Sequence, residues 1–133
     1  MDFNPSSSNY LDWYISPNDS LLNSCPEAYY IRIGGTDDAI VLYNRSESEN
    51  IKLIESADGI VNVNPVEIKL KVERTIGGLF SVWLDLLDDI GWVLVGNTID
   101  LSELKALYSV INCSYTSTRS NKFYFDDFSI IGE

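Results

Sequence analysis

Histidine is absent from this 133-residue chain, and that one lack removes a large share of enzyme chemistry. Neither a Ser-His-Asp nor a Cys-His arrangement can form, and no imidazole can ligate a metal. Cations are scarce as well: nine Lys and Arg stand against twenty Asp and Glu, for a net charge of −11. Phosphate backbones and anionic lipid surfaces are held by clustered cations, so neither nucleic acid nor an anionic membrane is the expected partner. Apolar runs stay far below the roughly 20 residues of a membrane-spanning helix, so no membrane insertion is expected. The opening "MDFNPSSSNY" lacks the basic region and apolar stretch of an export signal. No Gly-rich loop follows a strand and opens a helix, so the phosphate-cradling motif is missing too. Only two cysteines occur, Cys25 and Cys113, too few for a disulfide framework. Two free buried thiols or a single bridge remain open for them.

Short segments of alternating polarity run through the chain. In "VEIKLKVER", Val66, Ile68, Leu70 and Val72 take one side while Glu67, Lys69, Lys71 and Glu73 take the other. That two-residue period belongs to an antiparallel strand with one wet face. "LFSVWLDLL" repeats it with Phe80, Val82, Leu84 and Leu86, and Ile76-Gly77-Gly78 between the two runs supplies a hairpin turn. Further strands are expected in "YLDWYI", "AYYIRIG", "AIVLYNR", "NIKLIES", "IGWVLVG", "LYSVINCSY" and "KFYFDDFSII". Gly, Asn, Asp, Ser or Pro separates them, as turns require. "IDLSELKAL" is the one helical candidate, a short turn near 100–106 with Asp100 and Glu103 spaced as a capping box. About nine short strands without crossover helices predict a single all-β antiparallel sandwich over residues 1–133.

The two ends of the chain carry a more specific signal. "DFNPSSSNY" at the start and "YTSTRSNKFYFDDFSI" at the end resemble the concanavalin A-like (laminin G-like) jelly-roll domains of secreted, multidomain bacterial surface proteins. Between them "YYIRIGGTDDAIVLY" and "LKVERTIGGLFSVWLD" fall in the expected order, so the resemblance spans nearly the whole chain. It implies an extracellular or cell-surface module whose partner is a glycan or a neighbouring domain. In such domains further strands precede the first motif, so the chain is expected to lack the first strands of its jelly roll. "LDWYISPNDSLLNSCPEA" also departs from the regular strand and turn expected there. An edge left open by a missing strand presents unpaired backbone groups, and an edge-strand dimer is the corresponding expectation.

Catalysis is not expected. The glucanases of this superfamily use carboxylates that alternate along one strand. The nearest approach is Asp85, Asp88 and Asp89, whose i, i+3, i+4 spacing cannot place all three on one strand face. A non-catalytic accessory or adhesion module fits better, with a purely structural spacer as the other reading. For a glycan, the candidates are Trp83 and Asp85 on the polar side of one strand and Tyr30 and Arg32 on the side opposite Tyr29, Ile31 and Ile33. Trp92 is expected in the core. Asp126 alternates with Tyr124, Phe128 and Ile130, which predicts a carboxylate on a core face. Such a group must be paired or coordinated. Arg119, backbone amides or a structural calcium held by Asp126 or Asp127 would serve; in the opposite register Phe123 and Phe125 turn inward and Asp126 is solvated. Several jelly-roll families place calcium at an aspartate of the last strand. Asp37 and Asp38 in "GGTDD" are secondary candidates, most simply a turn.

Overall fold

The computed structural model describes residues 1–17, 26–103 and 108–131. They form eight strands: β1 (Tyr10–Tyr14), β2 (Ala28–Gly34), β3 (Ala39–Arg45), β4 (Asn50–Glu55), β5 (Lys69–Arg74), β6 (Leu79–Asp85), β7 (Val93–Ile99) and β8 (Val110–Ser114). One sheet has the order β4-β3-β2-β1-β8 and the other β5-β6-β7, with every neighbouring pair antiparallel. The chain is an all-β sandwich, as its alternation predicts.

Strand period decides which side chains meet between the sheets. Tyr29 and Ile31 of β2, Ile40 and Leu42 of β3 and Ile54 of β4 face Phe80, Val82 and Leu84 of β6, with Val61 and Val66 from the connecting loops. Tyr29 meets Phe80 at 4.7 Å between ring centroids, which couples the sheets at their middle. Leu70 and Val72 point into the same core but stay half-buried, because β5 is an edge. Full burial of one such side chain stabilises by roughly 1.5–3 kcal/mol, so this cluster is the main source of cohesion.

The hairpin joining β5 and β6 turns where the glycines are. Gly78 has φ of 79°, and a Cβ added there would come within 2.5 Å of the Asp100 carbonyl oxygen. Thr75 N–H donates to Leu79 O and Gly78 N–H to Thr75 O, closing the turn. Arg74 then donates to the carbonyls of Asp100 and Ser102, tying the hairpin to the segment after β7. Asp100 accepts from Ser102 N–H and from Asn44, so residues 100–103 make a local turn rather than helix. The rest of the predicted helix, residues 104–107, lies outside the described residues, as do residues 18–25 and with them Cys25. Cys113 is half-buried, and burial pushes its thiol up from the ordinary range.

Three expectations change. Residues 122–131 form no strand, although their polarity alternates. Asp127 adopts φ of 51° and donates its N–H to Asp126 Oδ1, so the Asp-Asp step bends the backbone out of the extended region. The segment is held by its rings instead: Phe123 sits edge-on to Phe3 at 5.1 Å and Phe128 edge-on to Trp13 at 5.4 Å. Leu86 drops out of the inward row and is exposed, because Leu87 at φ of 59° ends β6 one step earlier. Trp92 lies just ahead of β7 rather than in the core, and it is 45% exposed.

Two outcomes follow. Gly78→Ala should lower unfolding free energy by roughly 1–3 kcal/mol, the usual cost of a side chain held at positive φ against a backbone atom, read from urea titration of tryptophan fluorescence. The second concerns acid. Burial alone would raise the Asp100 carboxyl, but its hydrogen bonds with Ser102 and Asn44 outweigh that and hold it below the usual carboxylate range. A lowered folded-state pKa contributes stability above the unfolded value and loses it as pH falls through the folded one. Asp100→Asn should therefore flatten the loss of stability between neutral pH and acid, measured by melting temperature.

Candidate functional site

Each sheet has an outer face, and the predicted ligand residues are divided between them. Tyr30 and Arg32 lie on the outer face of the five-stranded sheet, whereas Trp83 and Asp85 belong to the three-stranded sheet. The core separates the two pairs, so they do not share one platform.

On the five-stranded sheet, antiparallel register stacks a row of rings. Tyr14 pairs with Tyr30 and Tyr30 with Tyr43, and both ring pairs stand 4.9 Å apart in stacked geometry. Arg32 lies opposite Asp12 and forms a two-bond fork to its carboxylate, at 2.7 and 2.8 Å. The Arg32 guanidinium also covers the Tyr10 ring at 4.1 Å. Asp12, Tyr14 and Tyr30 are nearly fully buried, and burial pushes the Tyr30 phenol well above its ordinary range. Hydrogen bonding to Asp12 pushes the Arg32 guanidinium up and keeps it charged. A buried carboxylate locked in a fork is a structural pair; its energy goes into fixing β1 against β2. The carboxylate that holds Arg32 is thus Asp12.

The three-stranded sheet carries a more open arrangement. The β5–β6 register sets Lys71 opposite Trp83, and a bulge between Val82 and Trp83 then sets Trp83 opposite Leu94. Lys71 Nζ stands 5.1 Å from the Trp83 ring and 5.7 Å from the Trp92 ring, so one ammonium lies between two indoles. Glu73 approaches the same ammonium at 3.5 Å. Trp83 is half-buried, and its buried Nε1 finds no acceptor among the described residues. Asp85 is buried, and its Oδ1 caps Leu87 N–H at 2.8 Å, closing the turn after β6. Of the predicted pair, Trp83 therefore stands in the open face and Asp85 serves the backbone.

Sequence reasoning missed Trp92 and Lys71 here. Lys71 was legible in principle, since counting back from the Gly77-Gly78 turn pairs residue 71 with 83. Trp92 was not, because the bulge that displaces Leu94 and the Gly91 turn at φ of 75° are set by the fold.

The predicted acidic sites also separate. Asp126 and Asp127 are exposed in an irregular segment, and Asp126 Oδ1 is engaged by the neighbouring amide. Arg119 does not pair with Asp126; its guanidinium lies over the Phe3 ring at 5.4 Å. Asp37, Glu55 and Asp58 do converge, with ligand-capable oxygens within 4.8 Å of one another. All three are exposed, and Lys52 already reaches Glu55 and, at 3.6 Å, Asp37. Asp38, at φ of 47°, turns the chain between β2 and β3. No family model, curated protein or solved structure matches this chain.

An ammonium placed among carboxylates opposes a divalent cation at the same oxygens. Melting temperatures in calcium and in EDTA should therefore coincide for the wild type. Lys52→Met should acquire a calcium-dependent rise, and Glu55→Gln on that background should remove it. A wild-type rise abolished by Asp126→Asn would instead place calcium on the C-terminal segment.

Proposed function

We propose that this chain is a non-catalytic accessory or adhesion module of a secreted surface protein, a concanavalin A-like jelly roll that holds a glycan on the outer face of β5-β6-β7. The observation that carries the reading is the paired indoles of Trp83 and Trp92 around Lys71, with Trp92 left 45% exposed on a sheet face. Pyranose rings present apolar C–H faces that lie against indoles, and their hydroxyls accept from an ammonium or an indole N–H. Lys71 Nζ is a donor of that kind. The Asp12–Arg32–Tyr30 arrangement supplies the rigid sheet behind, not the ligand contact.

A structural spacer without ligand is the second reading. The ammonium of Lys71 already has Glu73 and two rings as partners, and Asp85 is committed to the Leu87 amide. Both facts suit a face that covers its own aromatics.

A glycan array distinguishes the two. Reproducible binding that Trp92→Ala weakens at least about tenfold, a loss of about 1.4 kcal/mol, supports the glycan module. Trp83→Ala should abolish it, with circular dichroism confirming the fold of each variant. Silence across the array assigns the spacer role.

A further inference from the structure

Antiparallel register lays the outer face of β5-β6-β7 out in rows. Lys71, Trp83 and Leu94 are paired across the three strands, with Trp92 beside them at the Lys71 ammonium. The next outward row is Glu73, Ser81 and Asn97, because Glu73 pairs with Ser81 and Ser81 with Asn97. Ser81 and Trp83 are two apart on β6, so both rows point to the same side of the sheet. In the row after that, the paired residues of β6 and β7 are apolar, Leu79 and Ile99.

The middle row is a set of hydrogen-bonding groups with little to bond. Glu73 and Asn97 are exposed, and Ser81 is half-buried. Among the described residues, neither the Ser81 hydroxyl nor the Asn97 amide has a hydrogen-bond partner. Glu73 approaches the Lys71 ammonium at 3.5 Å. An ammonium only donates and a carboxylate only accepts, whereas a hydroxyl or an amide does both. Rows two strand residues apart are separated by roughly 6.6–6.8 Å. A pyranose lying on the indoles therefore brings its rim hydroxyls, or the unit linked to it, over the polar row.

We propose that the ligand of this face is a neutral oligosaccharide. One pyranose lies against Trp83 and Trp92, and its adjacent hydroxyls are held between Lys71 as donor and Glu73 as acceptor. Ser81 and Asn97 bond the hydroxyls of the next unit. This rests on the reading of the face as a glycan site and adds the ligand class. The charge order selects against acidic sugars. A uronate or sulfate that reaches Lys71 meets Glu73 at the same ammonium, and must displace that carboxylate or stand beside it. The net charge of −11 repels the same ligands at longer range. An amino sugar is opposed by Lys71 itself. A strand paired outside β5 would widen this face without covering it, so the selection does not depend on that edge.

Isothermal titration calorimetry of the intact chain tests it. The probes are glucose-, galactose- and mannose-based oligosaccharides, each beside a counterpart of the same linkage oxidised to uronate at C6. At least one neutral member should bind about tenfold or more tighter than its uronate counterpart. Glu73→Gln removes the repelling charge and should lower that ratio about fivefold or more. Asn97→Ala should weaken the neutral ligand about threefold or more, the effect of one lost hydrogen bond, while melting curves show both variants folded. A uronate bound as tightly as its neutral counterpart, or more tightly, overturns the proposal and leaves the glycan reading standing. So does a ratio that Glu73→Gln leaves unchanged, or an affinity that Asn97→Ala does not alter. Silence from every member of both series removes the glycan reading and this inference with it.

Discussion

Everything in this molecule hangs on β2 being buried on both of its faces. Inward, Ile31 and Tyr29 meet Phe80 and hold the sheets together. Outward, Tyr30 stacks between Tyr14 and Tyr43, and Arg32 forks onto Asp12. An arginine on a central strand needs a partner of opposite charge in fixed geometry, and only the directly opposed residue of β1 can supply it. Register between β1 and β2 is thereby locked, because a one-residue slip would turn Arg32 away from Asp12 and Ile31 out of the core.

That rigidity is unevenly spread. The five-stranded sheet is dense, with aromatic contacts on one side and aliphatic packing on the other. The three-stranded sheet is narrower, and its outer face keeps two indoles and an ammonium in partial contact with solvent. β5 is the wall of that face and, among the described residues, the end strand of its sheet, and the ring contacts of Lys71 shape the face. The C-terminal segment is held by Phe123 on Phe3 and Phe128 on Trp13, without strand pairing among the described residues.

The carboxylates show how a shared residue type takes different roles from context. Asp12 is a buried ion-pair partner, Asp85 and Asp100 cap backbone amides, and Asp37 shares a lysine with Glu55. Twenty acidic residues in the chain invite a metal reading. The contacts divert several of them into turns and pairs.

How much was legible beforehand follows from which forces are local. Alternating polarity determined the all-β class, the β5–β6 hairpin, the inward row of Phe80, Val82 and Leu84, and the opposite facing of Tyr30 and Arg32, since strand period needs no knowledge of neighbours. Glycine at the hairpin turn followed from backbone sterics alone. The pattern in "KFYFDDFSII" misled because alternation is necessary for a strand but not sufficient; Asp127 leaves the extended region and no strand among the described residues pairs with the segment. Only tertiary structure decided that Trp83 and Tyr30 lie on opposite outer faces, that Arg32 belongs to Asp12, and that Trp92 stands beside Lys71. Each depends on which strands become neighbours, and on a bulge that shifts one residue. Distance along the chain carries none of that information.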